Sequence, residues 1–371
     1  MAIQPRFRIA AALGALIAPM AVVAITATPA DAAISKHKHE VTMYKVEKYI
    51  KLKGGGATSP TGDTLETSLS CSNSSDKVLD GMWLVQHVDQ YNQPPTEPTD
   101  PDDDTGYDPI DPAPYTGGTY NDARDVQVWW SYPDTTDGYK WNFKFQNFAY
   151  GDAQLKTYIT CIKGKTEANG HTHNIGVSGA DALAGGLTVG VRSGYDWAGG
   201  CNADRFFVAP GFKIINGVRT RPVASYPTLN AGITKWHWDF AGAGASINYY
   251  GKCIERRVAN AVGSGGNHSH GIAIKNLPTF SGHEYQIDAG DPQTEQFSCD
   301  EDNSTYHGYK AMVGWYWMGT NWEYNWFLGM EPQPKTRVFS FWNWHPSSSD
   351  AQITIGAVCV NSRTGNPINP I

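Results

Sequence analysis

Past about residue 26 the chain has no apolar stretch long enough to span a bilayer, so no membrane helix is expected in the mature protein. It has no surplus of basic residues either. The formal net charge is −7, which argues against nucleic acid and anionic membranes as partners. Cys-x-x-Cys, Gly-x-Ser-x-Gly and His-Glu-x-x-His are all missing, and with them common signatures of thiolate zinc sites, hydrolase elbows and zinc proteases. No acidic pair stands in a context that suggests a glycosidase. Amphipathic helical periodicity is also wanting; the one helical expectation is a short turn over Gly179 to Leu187.

The N-terminus has the pattern of a secretory signal. Arg6 and Arg8 precede an apolar run from Ile9 to about Thr26, and Ala30-Asp31-Ala32 offers the small residues a signal peptidase needs, so residues 1–32 read as a signal peptide. Their removal takes away Arg6, Arg8 and Asp31 and leaves 27 basic against 35 acidic residues. The expected location is secreted or extracytoplasmic, at a cell surface or in a periplasm.

What the chain does contain is repetition. His37-Lys38-His39-Glu40-Val41-Thr42-Met43, His171-Thr172-His173-Asn174-Ile175-Gly176-Val177 and His268-Ser269-His270-Gly271-Ile272-Ala273-Ile274 share the pattern His-x-His-x-aliphatic-x-apolar. A cysteine follows each second histidine, after 32 residues at Cys71, 28 at Cys201 and 29 at Cys299. A glycine with a large neighbour comes next, in Gly81-Met82, Gly211-Phe212 and Gly308-Tyr309. Ser131-Tyr132-Pro133 then leads to Trp141-x-Phe143-x-Phe145, and Ser225-Tyr226-Pro227 to Trp236-x-Trp238-x-Phe240. In the third stretch Pro332 or Pro334 leads to Phe339-x-Phe341. Each stretch closes on a cysteine flanked by β-formers, Cys161, Cys253 or Cys359.

These landmarks divide the mature chain into residues 33–168, 169–265 and 266–371. Period-two alternation, as in Trp141 to Phe145, and frequent glycine and proline imply an all-β fold. The expectation is three tandem divergent repeats, each a small disulfide-stapled β-sandwich or barrel-like module. Two cysteines per repeat in an exported chain make Cys71–Cys161, Cys201–Cys253 and Cys299–Cys359 the economical pairing among fifteen. An acidic, proline-rich insertion over about residues 93–118 interrupts the first repeat. Its Asp100, Asp102, Asp104, Gly106 and Asp108 faintly resemble a calcium loop, but the glycine falls one place late and no bidentate glutamate follows, so calcium is not expected.

The histidines carry the chemistry. Alternate residues of a strand face the same way, so each His-x-His presents two imidazoles together. With 11 histidines in 371 residues, roughly 0.3 such pairs are expected by chance, and three occur at one repeat position. The residues between and after them differ in every copy. Paired surface or interface histidines are the plain reading. The sharper one is a transition-metal site, with iron, nickel, zinc or copper as candidates. If the three strands gather around a pseudo-threefold axis, His37, His39, His171, His173, His268 and His270 could converge on one ion; otherwise separate pairs would each need a further ligand such as Glu40 or His283. In that motif alone the chain is similar to trimeric phage tail-fibre tips, in which His-x-His from three chains looks to hold a central metal. The likeness covers three short strands.

Multicopper oxidases also use several His-x-His pairs on β-domains, but their His-Cys-His and His-x-x-His-x-His runs are absent here, so an enzyme is not expected. The sequence reads best as an extracellular structural, assembly or adhesion protein whose metal cross-links its modules, with self-assembly or a cell-surface partner. The alternative is a lectin-like binder of glycans using the aromatic third stretch, where Trp315, Trp317, Trp322, Trp326, Trp342 and Trp344 are the candidate contacts.

Overall fold

The computed structural model describes residues 37–368 apart from 56–61, 89–122, 150, 168–169, 179–180, 190–191, 197–199, 218, 231–232, 243, 259–260, 263–267, 279–283, 291, 301–307 and 346–348. Residues 1–32, expected to be a signal peptide, the acidic insertion with its calcium-like spacing, and His283 lie outside the described residues. The chain divides into two compact units, Met1–His37 and Lys38–Ile371, and only His37 of the first is described. Among the described residues no helix is long and apolar enough to cross a membrane.

The second unit is all β, its strands following the alternation of its residues. Along Lys140–Asn147 every second side chain is buried: Trp141, Phe143, Phe145 and Asn147 point inward, while Lys140, Asn142, Lys144 and Gln146 lie on the outer face. The part of the expected turn that is described, Asp181 to Leu187, is not helical. Asp181–Val189 is a strand that pairs antiparallel with Ala245–Glu255, from Ala245 opposite Val189 to Gly251 opposite Asp181. Alanine and glycine have weak strand preferences, and here the ladder with a long neighbour decides their conformation.

Three large sheets result. The first runs Met43–Leu52, Ala153–Ile162, Lys77–Val88, Asn325–Pro332, Thr336–Asn343 and Pro292–Ser298. The second runs Thr64–Ser70, Lys140–Asn147, Val126–Pro133, Arg205–Asn216, Ala245–Glu255 and Asp181–Val189. The third runs Ile274–Leu277, Ala351–Asn361, Tyr309–Met318, Arg221–Asn230, Ile233–Ala241 and Arg192–Asp196, with Glu284–Ile287 also on Ala351–Asn361. Each sheet therefore joins two sequence stretches, three strands from each in the first two sheets, and three from the second stretch with four from the third in the last. The joins are short: Phe212 opposite Ser131, Ser225 opposite Tyr316, and Gly329 opposite Leu84. Gly329 has φ +144°, and a Cβ there would lie 2.0 Å from the Trp83 carbonyl oxygen, so this join requires glycine.

All three disulfides form as the spacing implies, Cys71–Cys161, Cys201–Cys253 and Cys299–Cys359. They close loops of 90, 52 and 60 residues. The chain-entropy model gives about 4 kcal/mol for each. Gly81 lies opposite Ile159 and Gly314 opposite Ala357, each two residues before its cysteine. Gly211 sits opposite Tyr250, one step further from Cys253, because a bulge intervenes after Val208.

The other ladder resolves the proline ambiguity. Pro133 faces Trp141, Pro227 faces Trp236, and Pro332, not Pro334, faces Arg337. In the first two hairpins the indole N–H of Trp141 donates to Ser131 Oγ and that of Trp236 to Ser225 Oγ, both at 2.9 Å. Gly81 makes room for Trp141: a Cβ there would lie 2.2 Å from the ring. In the third hairpin a fully buried guanidinium holds the position. Arg337 donates through Nη2 to Met312 O at 2.9 Å and to Thr160 Oγ1 at 3.1 Å, and its Nε lies 3.8 Å from the buried Asp80 carboxylate. Burial pushes the Asp80 carboxyl up to about 6 against the opposing pull of Arg337, and burial lowers Arg337 to about 10.

Candidate metal centre

The histidine pairs sit where strands from the beginnings and ends of the three stretches meet. His39 N–H donates to Thr364 Oγ1 at 2.9 Å and Thr364 N–H donates back to His39 O at 2.9 Å. His173 N–H donates to Thr166 Oγ1 at 3.0 Å and Thr166 N–H returns a bond to His173 O at 2.9 Å. His270 lies opposite Val258 in a short ladder that continues, on its other side, to Pro367. The residues near His39 thus pair with the end of the third stretch, those near His173 with the end of the first, and those near His270 with the end of the second.

This closed order brings five imidazoles of the second unit together. The rings of His39, His173 and His270 form a triangle with centroid separations of 4.8, 4.6 and 4.9 Å. His171 and His268 are 4.9 Å apart, with Nε2 atoms separated by 3.1 Å. His171 touches His39 at 4.7 Å and His173 at 5.0 Å; His268 touches His173 at 5.0 Å and His270 at 5.1 Å. These neighbour relations are those of five vertices of a trigonal antiprism, the form an octahedron takes when viewed along a threefold axis. In octahedral coordination at about 2.1–2.2 Å, adjacent nitrogens lie roughly 3.0–3.1 Å apart. Ligand atoms of His39, His171, His268 and His270 already lie within 4.8 Å of one another.

Backbone partners orient the rings. His39 Nδ1 is 3.2 Å from Glu167 O, and His270 Nδ1 is 2.9 Å from Gly365 O. A carbonyl oxygen can only accept, so Nδ1 carries the proton in both and the Nε2 lone pair points away from the backbone. Such outer contacts fix a metal-ligating imidazole. His39, His173, His268 and His270 are all at most 1% exposed. Among the described residues the cluster gathers imidazole nitrogens and no carboxylate, a donor set that suits a divalent transition ion better than calcium, which takes oxygen ligands. Five histidines so close can bind a transition metal.

Glu40, considered as an extra ligand, is exposed and bridges to Arg363. His37 belongs to the first unit. The spacing of the histidines made the cluster readable in the sequence; the anchoring threonines, Thr166 and Thr364, and the carbonyls of Glu167 and Gly365 were not singled out. One signal was there, since Thr166 and Thr364 each follow their closing cysteine by five residues, although Val258 fills that place in the second stretch.

The third-stretch tryptophans do not form one exposed set. Trp315, which alternation places on one face with Trp317, is fully buried against Gly356. Trp317 is half-buried, and Trp322, Trp326 and Trp342 pack partly on the core. Trp344 is the most open, at 37% exposure, with the Arg124 guanidinium 4.1 Å from its ring centroid. Arg221 lies 4.2 Å over Trp326. The chain matches no protein-family model, and a search of curated proteins finds no relative.

Proposed function

We propose that this is an extracellular structural, assembly or adhesion protein of three divergent β-repeats, 33–168, 169–265 and 266–371, joined by one six-histidine metal centre. The observation that carries the reading is the antiprism of His39, His171, His173, His268 and His270 at the meeting point of all three stretches. His37, two residues ahead of His39 as His171 is ahead of His173 and His268 ahead of His270, supplies the sixth ligand. Six imidazoles favour octahedral iron(II) or nickel over zinc, which commonly takes four ligands. An ion so saturated has no position for water or substrate, so the role is structural and the protein is not an enzyme at this site. Three disulfides fit an oxidising, extracellular environment.

The cyclic pairing of beginnings with ends gives the metal its task. An ion at the centre binds residues from every junction at once, so it resists peeling of any one stretch from the others. Elemental analysis of untagged mature protein, beside the His171→Ala/His173→Ala double variant, tests this. About one transition ion per chain, lost in the variant, is the expected result; about three would mean separate sites, and none after exposure to iron, nickel, copper and zinc would refute the centre. The exposure of Trp344 motivates a second reading, a lectin-like surface on the third stretch.

A further inference from the structure

A different surface, on the outer face of the second sheet, has the make-up of a small-molecule site. Two registered rows cross it. One runs Glu66, Lys144, Trp130, Lys213 and Asn248; the other runs Ser68, Asn142 and Tyr132, with Tyr250 beyond. Between the rows lies an open cleft of about 250 Å³ lined by Glu66, Ser68, Asn142, Trp130 and Tyr132, with the buried Phe143 beneath.

Its walls are held in place. Tyr132 stacks on Tyr250 with centroids 4.4 Å apart, and Lys144 and Lys213 flank Trp130 at 4.5 and 4.6 Å. Lys144 Nζ is 3.0 Å from Glu66 Oε1, and Asn142 Nδ2 donates to Asp134 Oδ2 at 2.9 Å. The lining groups stand on strands, so binding would require little ordering. A flat aromatic ring beside a carboxylate, an amide and a hydroxyl complements one kind of ligand, a ring with an apolar C–H face and a rim of hydroxyls. We propose that this cleft binds a pyranose ring of a neutral oligosaccharide, with Tyr132 as the apolar wall and Glu66, Ser68 and Asn142 as the hydroxyl partners.

The site is independent of the metal centre. Calorimetric titration of the full mature chain with cellohexaose, maltohexaose, chitohexaose and mannohexaose tests it, alongside heparin as an acidic glycan. At least one neutral sugar should bind, with affinity falling roughly tenfold or more in Tyr132→Ala and in Glu66→Gln and staying within about twofold in Trp344→Ala. An unchanged melting temperature in Glu66→Gln separates lost contact from lost folding. No binding by any neutral sugar, binding confined to heparin, or binding that survives Tyr132→Ala and disappears in Trp344→Ala would each overturn the proposal.

Discussion

Arg337 and the histidine cluster are both largely buried polar groups within one β framework, yet Arg337 lies against a countercharge in Asp80 whereas the imidazoles lie against one another and against backbone carbonyls. At Arg337 the position facing Pro332 is filled by an ion pair that the first two hairpins fill with Trp141 and Trp236. The guanidinium reaches Thr160 and Asp80, both outside its own stretch, so the exchange converts a packing contact into a polar link between stretches. The lesson is that a buried charge is tolerated where its partner is part of the chain, and that imidazoles gathered this closely can take up a transition ion.

The comparison can be broken first at the histidines. With metal present at about a thousandfold over its dissociation constant, loss of the centre in His171→Ala/His173→Ala should remove on the order of 4 kcal/mol of stability, read as a lower melting temperature that added metal no longer raises. A chelator should have the same effect on the wild type and none on the variant.

Next comes the ion pair. Arg337→Met leaves the Asp80 carboxylate buried and should destabilise by about 3–5 kcal/mol in denaturant titrations, while Asp80→Asn on that background should recover a large part of the loss. If the single and double variants are equally unstable, Arg337 acts through packing and its backbone hydrogen bonds, not through charge.

The pH dependence sharpens the same point. Asp80 titrates at about 6 when folded, above its ordinary value of 3.8, so between these values the folded chain binds more protons than the unfolded one. Its contribution is fully present below about pH 4 and is lost as pH rises through 6, a change on the order of 2–3 kcal/mol. Asp80→Asn should flatten that part of the stability profile relative to wild type. The smallest effect is expected at Ser131, whose hydroxyl accepts from Trp141 and donates to Gly81 O at 3.0 Å. Ser131→Ala should cost about 1–2 kcal/mol in denaturant titrations.

Much of this architecture was readable from local pattern. Alternation at Trp141-x-Phe143-x-Phe145 marked a half-buried strand, and one cysteine near the middle and one at the end of each stretch marked the bridges. Arg337 was not legible as the counterpart of Trp141, because a charged residue breaks the apolar pattern and its partner Asp80 is 257 positions away. Trp315 and Trp317 share a strand face in principle, but burial differs along a strand with what packs above it: Trp315 is fully buried and Trp317 half-buried. The alanine- and glycine-rich Asp181–Val189 carried no strand pattern and became a strand through its neighbour.

By itself the sequence determined the strands, their inward faces, the cysteine pairing and the side-by-side placement of two imidazoles in each His-x-His. Those properties follow from periodicity and spacing. Only the tertiary structure decided that each sheet joins two stretches, that beginnings pair with ends in a closed order, and that His39, His171, His173, His268 and His270 meet. Periodicity fixes which way a side chain faces, whereas the partner it faces depends on contacts between residues far apart in the chain.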